Sequence, residues 1–208
     1  MRLIYLHGLD SDSNAIKAQI VSRYCAAHHP DIEVIRPDLN RTPDEVVALL
    51  SELIGDGKDK DIVLMGSSLG GYFATLMSDK TGVPAVLLNP SIRPDLSFRR
   101  FLQDNFENSN QDLQDDTVIY TTTGGWQIVY GDLAWLEHHR LQAVFGERIR
   151  VFLQLGDELL DAHASRAFYQ EQGAQVLALE GGDHRISDFE DHVQTVVAWA
   201  VELHDSSH

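Results

Sequence analysis

The chain has 208 residues, with 32 Asp and Glu against 16 Lys and Arg and a formal charge of −16. Such a field repels phosphate backbones and anionic lipid surfaces, so no nucleic-acid partner and no stable membrane association are expected, although a local arginine can still meet an anionic small molecule. One cysteine, Cys25, excludes an intrachain disulfide, and no apolar stretch approaches the ~18 residues of a membrane span.

In chain order, Leu3–Leu6 reads as a strand that stops at His7-Gly8, too short for the core of a signal peptide. A cytoplasmic protein of one domain, residues 1–208, is the expectation. Asn14–His28 follows as a helix and Ile32–Arg36 as a strand. Pro43–Ile54 is a helix announced by Thr42-Pro43-Asp44-Glu45, which supplies an N-cap, a first-turn proline and acid in the first turn. Ile62–Met65 is a strand, Ser68–Asp79 a helix and Ala85–Leu88 a strand. After an excursion come the strand Ile149–Leu155, the helix Asp161–Gln172, the strand Gln175–Leu179 and the helix Phe189–His204. The strands are nearly continuous runs of Val, Ile and Leu, the pattern of parallel strands covered on both faces, and their alternation with helices predicts a doubly wound α/β fold.

The excursion, about residues 93–147, breaks the strand-helix rhythm. Phe98–Phe106 and Leu133–Phe145 read as helices, separated by the polar stretch Glu107–Thr117, with its acidic run at Asp112–Asp116, and by Gly124-Gly125-Trp126. Its aromatics (Phe98, Phe101, Phe106, Trp126, Tyr130 and Trp135) argue for an ordered cap rather than a disordered insertion. An ornament packed at the sheet edge is the alternative.

Gly66-Ser67-Ser68-Leu69-Gly70 fits G-x-S-x-G between a strand and a helix, the sharp turn that lifts a serine hydroxyl above a sheet edge. The bare pattern arises by chance in roughly one such chain in fifteen at average Gly and Ser usage, so the case for Ser68 rests on its partners. Serine needs a base, and a base needs an orienting carboxylate. His184, in Gly181-Gly182-Asp183-His184, follows the last strand. Asp157, in Gly156-Asp157-Glu158-Leu159-Leu160-Asp161, follows the one before it. Asp157 is preferred as the acid because Asp161 is better explained as a helix cap and Glu158 as a solvated side chain. The order Ser68, Asp157, His184 is the one this fold demands. For the oxyanion, the Leu69 N–H at a helix start and the Leu9 N–H after Gly8 are the candidate donors. Arg93 either meets an anionic substrate group or pairs with a surface carboxylate; His7 and Trp126 join it as candidate substrate-binding residues. No metal is expected, since the histidines of His28-His29 and His138-His139 do not face one ligand.

These residues resemble the small bacterial YqiA-like esterases of the α/β-hydrolase superfamily. The resemblance runs along the whole chain. It is carried by Tyr5-Leu6-His7-Gly8, Ala27-His28-His29-Pro30-Asp31, Gly66–Tyr72, Asn89-Pro90-Ser91-Ile92-Arg93-Pro94, Gly156–Asp161, Gly181-Gly182-Asp183-His184 and Phe189-Glu190-Asp191. It implies the α/β-hydrolase fold, a mostly parallel sheet of about six strands flanked by helices, with the cap inserted. It implies a serine triad at Ser68, Asp157 and His184, no cofactor, and hydrolysis of a small carboxylic ester or acyl thioester. Asp183 departs from the family, which tends to have asparagine there; an added negative charge would raise the basicity of the neighbouring histidine. Cleavage of another bond type by the same triad, or a catalytically silent binding protein, are the alternatives.

Overall fold

A computed structural model describes residues 1–55, 61–106 and 113–207. Residues 107–112 of the polar stretch, including the first residue of its acidic run, lie outside the described residues.

Six strands form one sheet: β1 (Arg2–Leu6), β2 (Glu33–Ile35), β3 (Ile62–Ser67), β4 (Ala85–Leu88), β7 (Ile149–Gln154) and β8 (Gln175–Leu179). Their spatial order is β2-β1-β3-β4-β7-β8, and every pairing is parallel. Successive side chains leave a strand on opposite faces, so each hydrophobic run feeds two cores at once. Ile4, Leu6, Leu64, Leu87, Val151 and Leu153 face the helices α2 (Pro43–Ile54), α3 (Leu69–Thr81) and α6 (Ala162–Glu171) together with the excursion. Leu3, Tyr5, Val63, Met65, Val86 and Phe152 face α1 (Ile16–His28) and α7 (Phe189–Asp205). The expected N-cap at the start of α2 closes into a capping box: Thr42 Oγ1 accepts from Glu45 N–H, and Glu45 accepts from Thr42 N–H at 2.9 Å. No helix among the described residues is long and apolar enough to cross a membrane.

Because all six strands are parallel, their carboxyl ends share one edge. The chain crosses that edge after Leu6, Ser67, Leu88, Gln154 and Leu179, and such an edge is where open α/β sheets gather ligands.

The excursion differs from the sequence expectation in three ways. The helix predicted over Leu133–Phe145 is α5 (Tyr130–His138), shifted earlier and shorter. Its expected second half is unwound by Asp79 of α3, whose carboxylate accepts three consecutive backbone N–H groups, from Gln142 and Ala143 at 3.0 Å and Val144 at 2.8 Å. Ala143 takes a φ of 50° in that capture. Second, an antiparallel hairpin of β5 (Val118–Thr121) and β6 (Gln127–Val129) stands where only a glycine turn was expected. Strands this short carry little periodic signal, and this pair holds because Ile119, Trp126 and Ile128 are buried in the helix-side core. The helix expected over Phe98–Phe106 starts earlier, as α4 (Pro94–Phe106).

The turn from β3 into α3 leaves no room for side chains beside it. A Cβ on Gly70 would lie 2.1 Å from the Leu6 carbonyl oxygen, and one on Gly66 2.4 Å from the Gly70 carbonyl oxygen. Both neighbours are backbone, which cannot swing aside. Gly70→Ala is therefore expected to lower the free energy of unfolding by about 3 kcal/mol or more, at the upper end of overpacking costs, read as the shift in a urea midpoint followed by circular dichroism.

Candidate active site

Ser68 sits between β3 and α3 with φ 54° and ψ −120°, a backbone conformation that side chains rarely adopt. The turn is clamped on both sides: Ser68 N–H donates to Leu88 O at 3.1 Å, and Ser68 O accepts from Ser91 N–H at 3.1 Å. The loop after β8 brings His184 across, with Nε2 3.0 Å from Ser68 Oγ. The loop after β7 brings Asp157, whose Oδ2 lies 2.8 Å from His184 Nδ1. These two loops are laced together by the bonds Leu155 N–H to Leu179 O (2.8 Å) and Gly156 N–H to Gly181 O (2.7 Å). The Asp157 side chain is 1% exposed, and its Oδ1 accepts from Leu159 N–H at 2.9 Å and Leu160 N–H at 2.8 Å. A carboxylate so placed has three donors, which compensate its removal from water. With Nδ1–H given to Asp157, the imidazole turns the lone pair of Nε2 toward the serine hydroxyl.

Asp161 caps α6 by accepting from Ala164 N–H at 2.9 Å, as expected. Glu158, expected to be solvated only, instead accepts the backbone N–H of His184 at 3.0 Å, so two successive acidic residues hold the histidine, one by its ring and one by its peptide. The Asp183 carboxylate turns to Ser187 N–H at 3.3 Å, and hydrogen bonding to Ser187 holds its pKa below the usual carboxylate value.

The loop after β1 lies directly against the serine: a Cβ on Gly8 would be 3.2 Å from Ser68 Cβ. Leu9 and Leu69 line one small pocket with His7, Leu39, Asn40, Phe73 and Trp126. Among the described residues neither the Leu9 nor the Leu69 N–H has a backbone acceptor.

Of the candidate substrate-binding residues, Trp126 is 6% exposed in the pocket wall, and its indole N–H has no partner among the described residues. His7 also borders the pocket, but both ring nitrogens serve the backbone. Nε2 accepts from Leu39 N–H at 2.8 Å, so Nδ1 carries the proton and donates to Gly8 O at 2.8 Å. His7 thereby ties the loop after β1 to residues 38–39, with Nε2 also 3.3 Å from Asp38 Oδ1. Arg93 pairs with a carboxylate, and a buried one rather than the surface carboxylate expected. Its Nε and Nη2 donate to Asp95 at 2.9 and 2.7 Å, and Asp95 is 1% exposed.

The hairpin reaches the same loop through residues that sequence reasoning left without a role. Asp10 accepts from Thr123 N–H at 2.9 Å and from the Tyr120 hydroxyl, and that second bond pushes the Tyr120 pKa up. Asn40 accepts from Thr122 Oγ1 at 2.9 Å and donates to Ser11 O at 2.8 Å. No local pattern marks these side chains, because each partner lies between 29 and 113 positions away.

The sheet order, the elbow and the loops at its carboxyl edge are those of the α/β-hydrolase fold. Esterase Est1E from Butyrivibrio proteoclasticus superposes with a TM-score of 0.71 at 15% identity, covering 97% of this chain and 87% of that one. The esterase domain of a Rhodothermus marinus protein gives 0.68 at 17% identity, covering 98% and 86%. Mouse alpha/beta hydrolase domain-containing protein 10 gives 0.63 at 18% identity, covering 100% and 90%. The chain belongs to the uncharacterised protein family UPF0227, the YqiA-like family, whose profile matches residues 2–201. A UPF0227 protein of Serratia proteamaculans is 22% identical over 200 residues, 95% of this chain and 97% of that protein.

The Arg93–Asp95 pair has a consequence for acid stability. Burial alone would raise the Asp95 pKa, but the Arg93 guanidinium, helped by the Leu96 N–H and Arg140, outweighs it and the net shift is downward. A depressed carboxylate contributes stability above its unfolded value of about 3.9, and loses it as the pH falls through the lower folded value. Arg93→Ala leaves Asp95 buried without its guanidinium partner, so it is expected to cost about 2–3 kcal/mol at pH 7, with the gap to the parent chain closing below about pH 4. Urea titrations at pH 7, 5 and 3 measure both.

Proposed function

We propose that this protein is a serine hydrolase that cleaves carboxylic esters or acyl thioesters of small molecules through an acyl-enzyme at Ser68. The observation that carries this reading is the relay from Ser68 Oγ to His184 Nε2 at 3.0 Å and from His184 Nδ1 to Asp157 at 2.8 Å. The esterase names of Est1E and of the Rhodothermus domain support the same direction.

In this reading His184 Nε2 takes the Ser68 proton as Oγ attacks the acyl carbon. Asp157 holds the ring and stabilises the imidazolium without taking the proton itself. The tetrahedral oxyanion is met by the Leu9 and Leu69 N–H groups, the second at the positive end of α3. Collapse expels the alkoxide or thiolate, which leaves protonated by His184. Water, activated by the same nitrogen, then attacks the acyl-enzyme and releases the acid. The excursion over residues 93–147 serves as the cap, and Trp126 with Leu39 and Phe73 forms the wall against which the acyl chain packs.

Ser68→Ala is expected to lower kcat for p-nitrophenyl acetate by about 10³-fold or more while circular dichroism stays unchanged, and Asp157→Asn by about 10³–10⁴-fold through loss of the correct tautomer. Near-parental turnover in Ser68→Ala would overturn the assignment. Trp126→Ala opens the pocket wall. It should raise the ratio of kcat/KM for hexanoate over acetate by about ten-fold or more, since one methylene in an apolar pocket is worth about 1–3 kcal/mol. A ratio that does not move removes Trp126 from the acyl site.

A further inference from the structure

We infer that the side-chain amides of Asn89 and Gln154 act together as a positioning clamp that sets the reach of His184 to Ser68. The inference rests on the hydrolase reading above and adds two residues that touch neither Ser68 nor the histidine ring.

Asn89 follows β4 with φ 41° and is 1% exposed; Gln154 ends β7 and is 2% exposed. Every polar position of the two amides that the loop can use is occupied. Asn89 Nδ2 donates to the carbonyl oxygens of Asp183 at 3.0 Å and His184 at 3.2 Å. Its Oδ1 accepts from Gln154 N–H at 2.9 Å. Gln154 Oε1 accepts from Asp183 N–H at 2.9 Å, and its Nε2 donates to Asp188 Oδ1 at 2.7 Å. The loop from Gly181 to Asp188 has one fully buried apolar anchor, Ile186, and that residue sits at φ 54°. Apolar packing therefore does little to fix its height over the sheet, and the hydrogen bonds do. An amide is the group that this place requires, because it presents donor and acceptor together; a carboxylate at Asn89 would set its oxygen against two carbonyls, and hydrocarbons at both positions would orphan five polar groups. The base of the clamp is itself fixed, since the β4 and β7 ends are joined by Asn89 N–H to Phe152 O at 2.9 Å.

The experiment compares Gln154→Glu, Asp188→Asn and the double variant in the full-length chain. Fluorophosphonate titration counts active sites, so kcat is expressed per labelled Ser68. Gln154→Glu turns a donor into a carboxylate facing Asp188. It is expected to lower kcat per site about a hundred-fold with KM little changed, the size of effect that a displacement near 1 Å produces. Asp188→Asn alone keeps an acceptor for Gln154 and should stay within about three-fold of the parent chain. The double variant restores donor and acceptor with their sides exchanged and should recover most of the lost kcat. A merely structural role would lower the count of labelled sites and leave kcat per site unchanged, and that result overturns the clamp, as does a double variant no better than Gln154→Glu. If Gln154→Glu does not fold, Asp188→Ala, altered at the half-exposed end, should still lower kcat per site about three- to ten-fold, and an unchanged value overturns the clamp. Ser68→Ala run in parallel separates the two ideas: turnover there sinks the hydrolase reading, whereas its loss beside an unaffected Gln154→Glu sinks the clamp alone.

Discussion

One backbone constraint organises the carboxyl edge of this sheet: the strand must reverse into a helix within a single residue at Ser68. A φ of 54° at a residue with a side chain costs on the order of 1–3 kcal/mol, and the surrounding packing holds it there. The turn is wedged between the end of β1 and Pro90. The Leu6 carbonyl lies under Gly70, and the Pro90 ring lies against Gly71, where a Cβ would come within 2.7 Å of it. That tight seating has geometric consequences. The serine hydroxyl meets His184 Nε2 at 3.0 Å, and the loop after β1 is forced alongside, its Gly8 lying against Ser68.

Around that fixed point the remaining groups arrive from separate loops. Asp157 and His184 follow adjacent strands, and the loops that carry them are hydrogen-bonded to each other before either reaches the serine. The carboxylate of Asp157 is fully engaged, with two backbone N–H groups on one oxygen and the imidazole on the other. These preorganised donors compensate the removal of the carboxylate from water, and they leave the ring one orientation. Local pairing thus overrides the chain's overall charge of −16, which by itself says nothing about the site.

The excursion contributes differently. Its hairpin grips Asp10, which follows Leu9 directly, and Asn40, which in turn holds Ser11. The segment that supplies the Trp126 wall is therefore tied to the loop bearing one candidate oxyanion donor. Pocket shape and donor placement are parts of one hydrogen-bonded unit, so substitutions in the hairpin are coupled to the Leu9 loop.

The sequence by itself determined the six parallel strands, the elbow at Ser68 and the order of its two partners. Continuous runs of Val, Ile and Leu are legible without partners, and a G-x-S-x-G turn is constrained by backbone contacts within a few residues of itself. The capping roles of Thr42 and Asp161 were legible for the same reason, since a helix cap is satisfied three residues away. Only the tertiary structure decided the rest. It gave His7 to the backbone of residues 8 and 39, Arg93 to Asp95, and Glu158 to the peptide of His184. It also cut the helix expected over Leu133–Phe145 short, because a carboxylate on another helix captured its N–H groups. A polar side chain takes whichever partner the fold brings within 3 Å, and for most of these residues that partner is dozens of positions away.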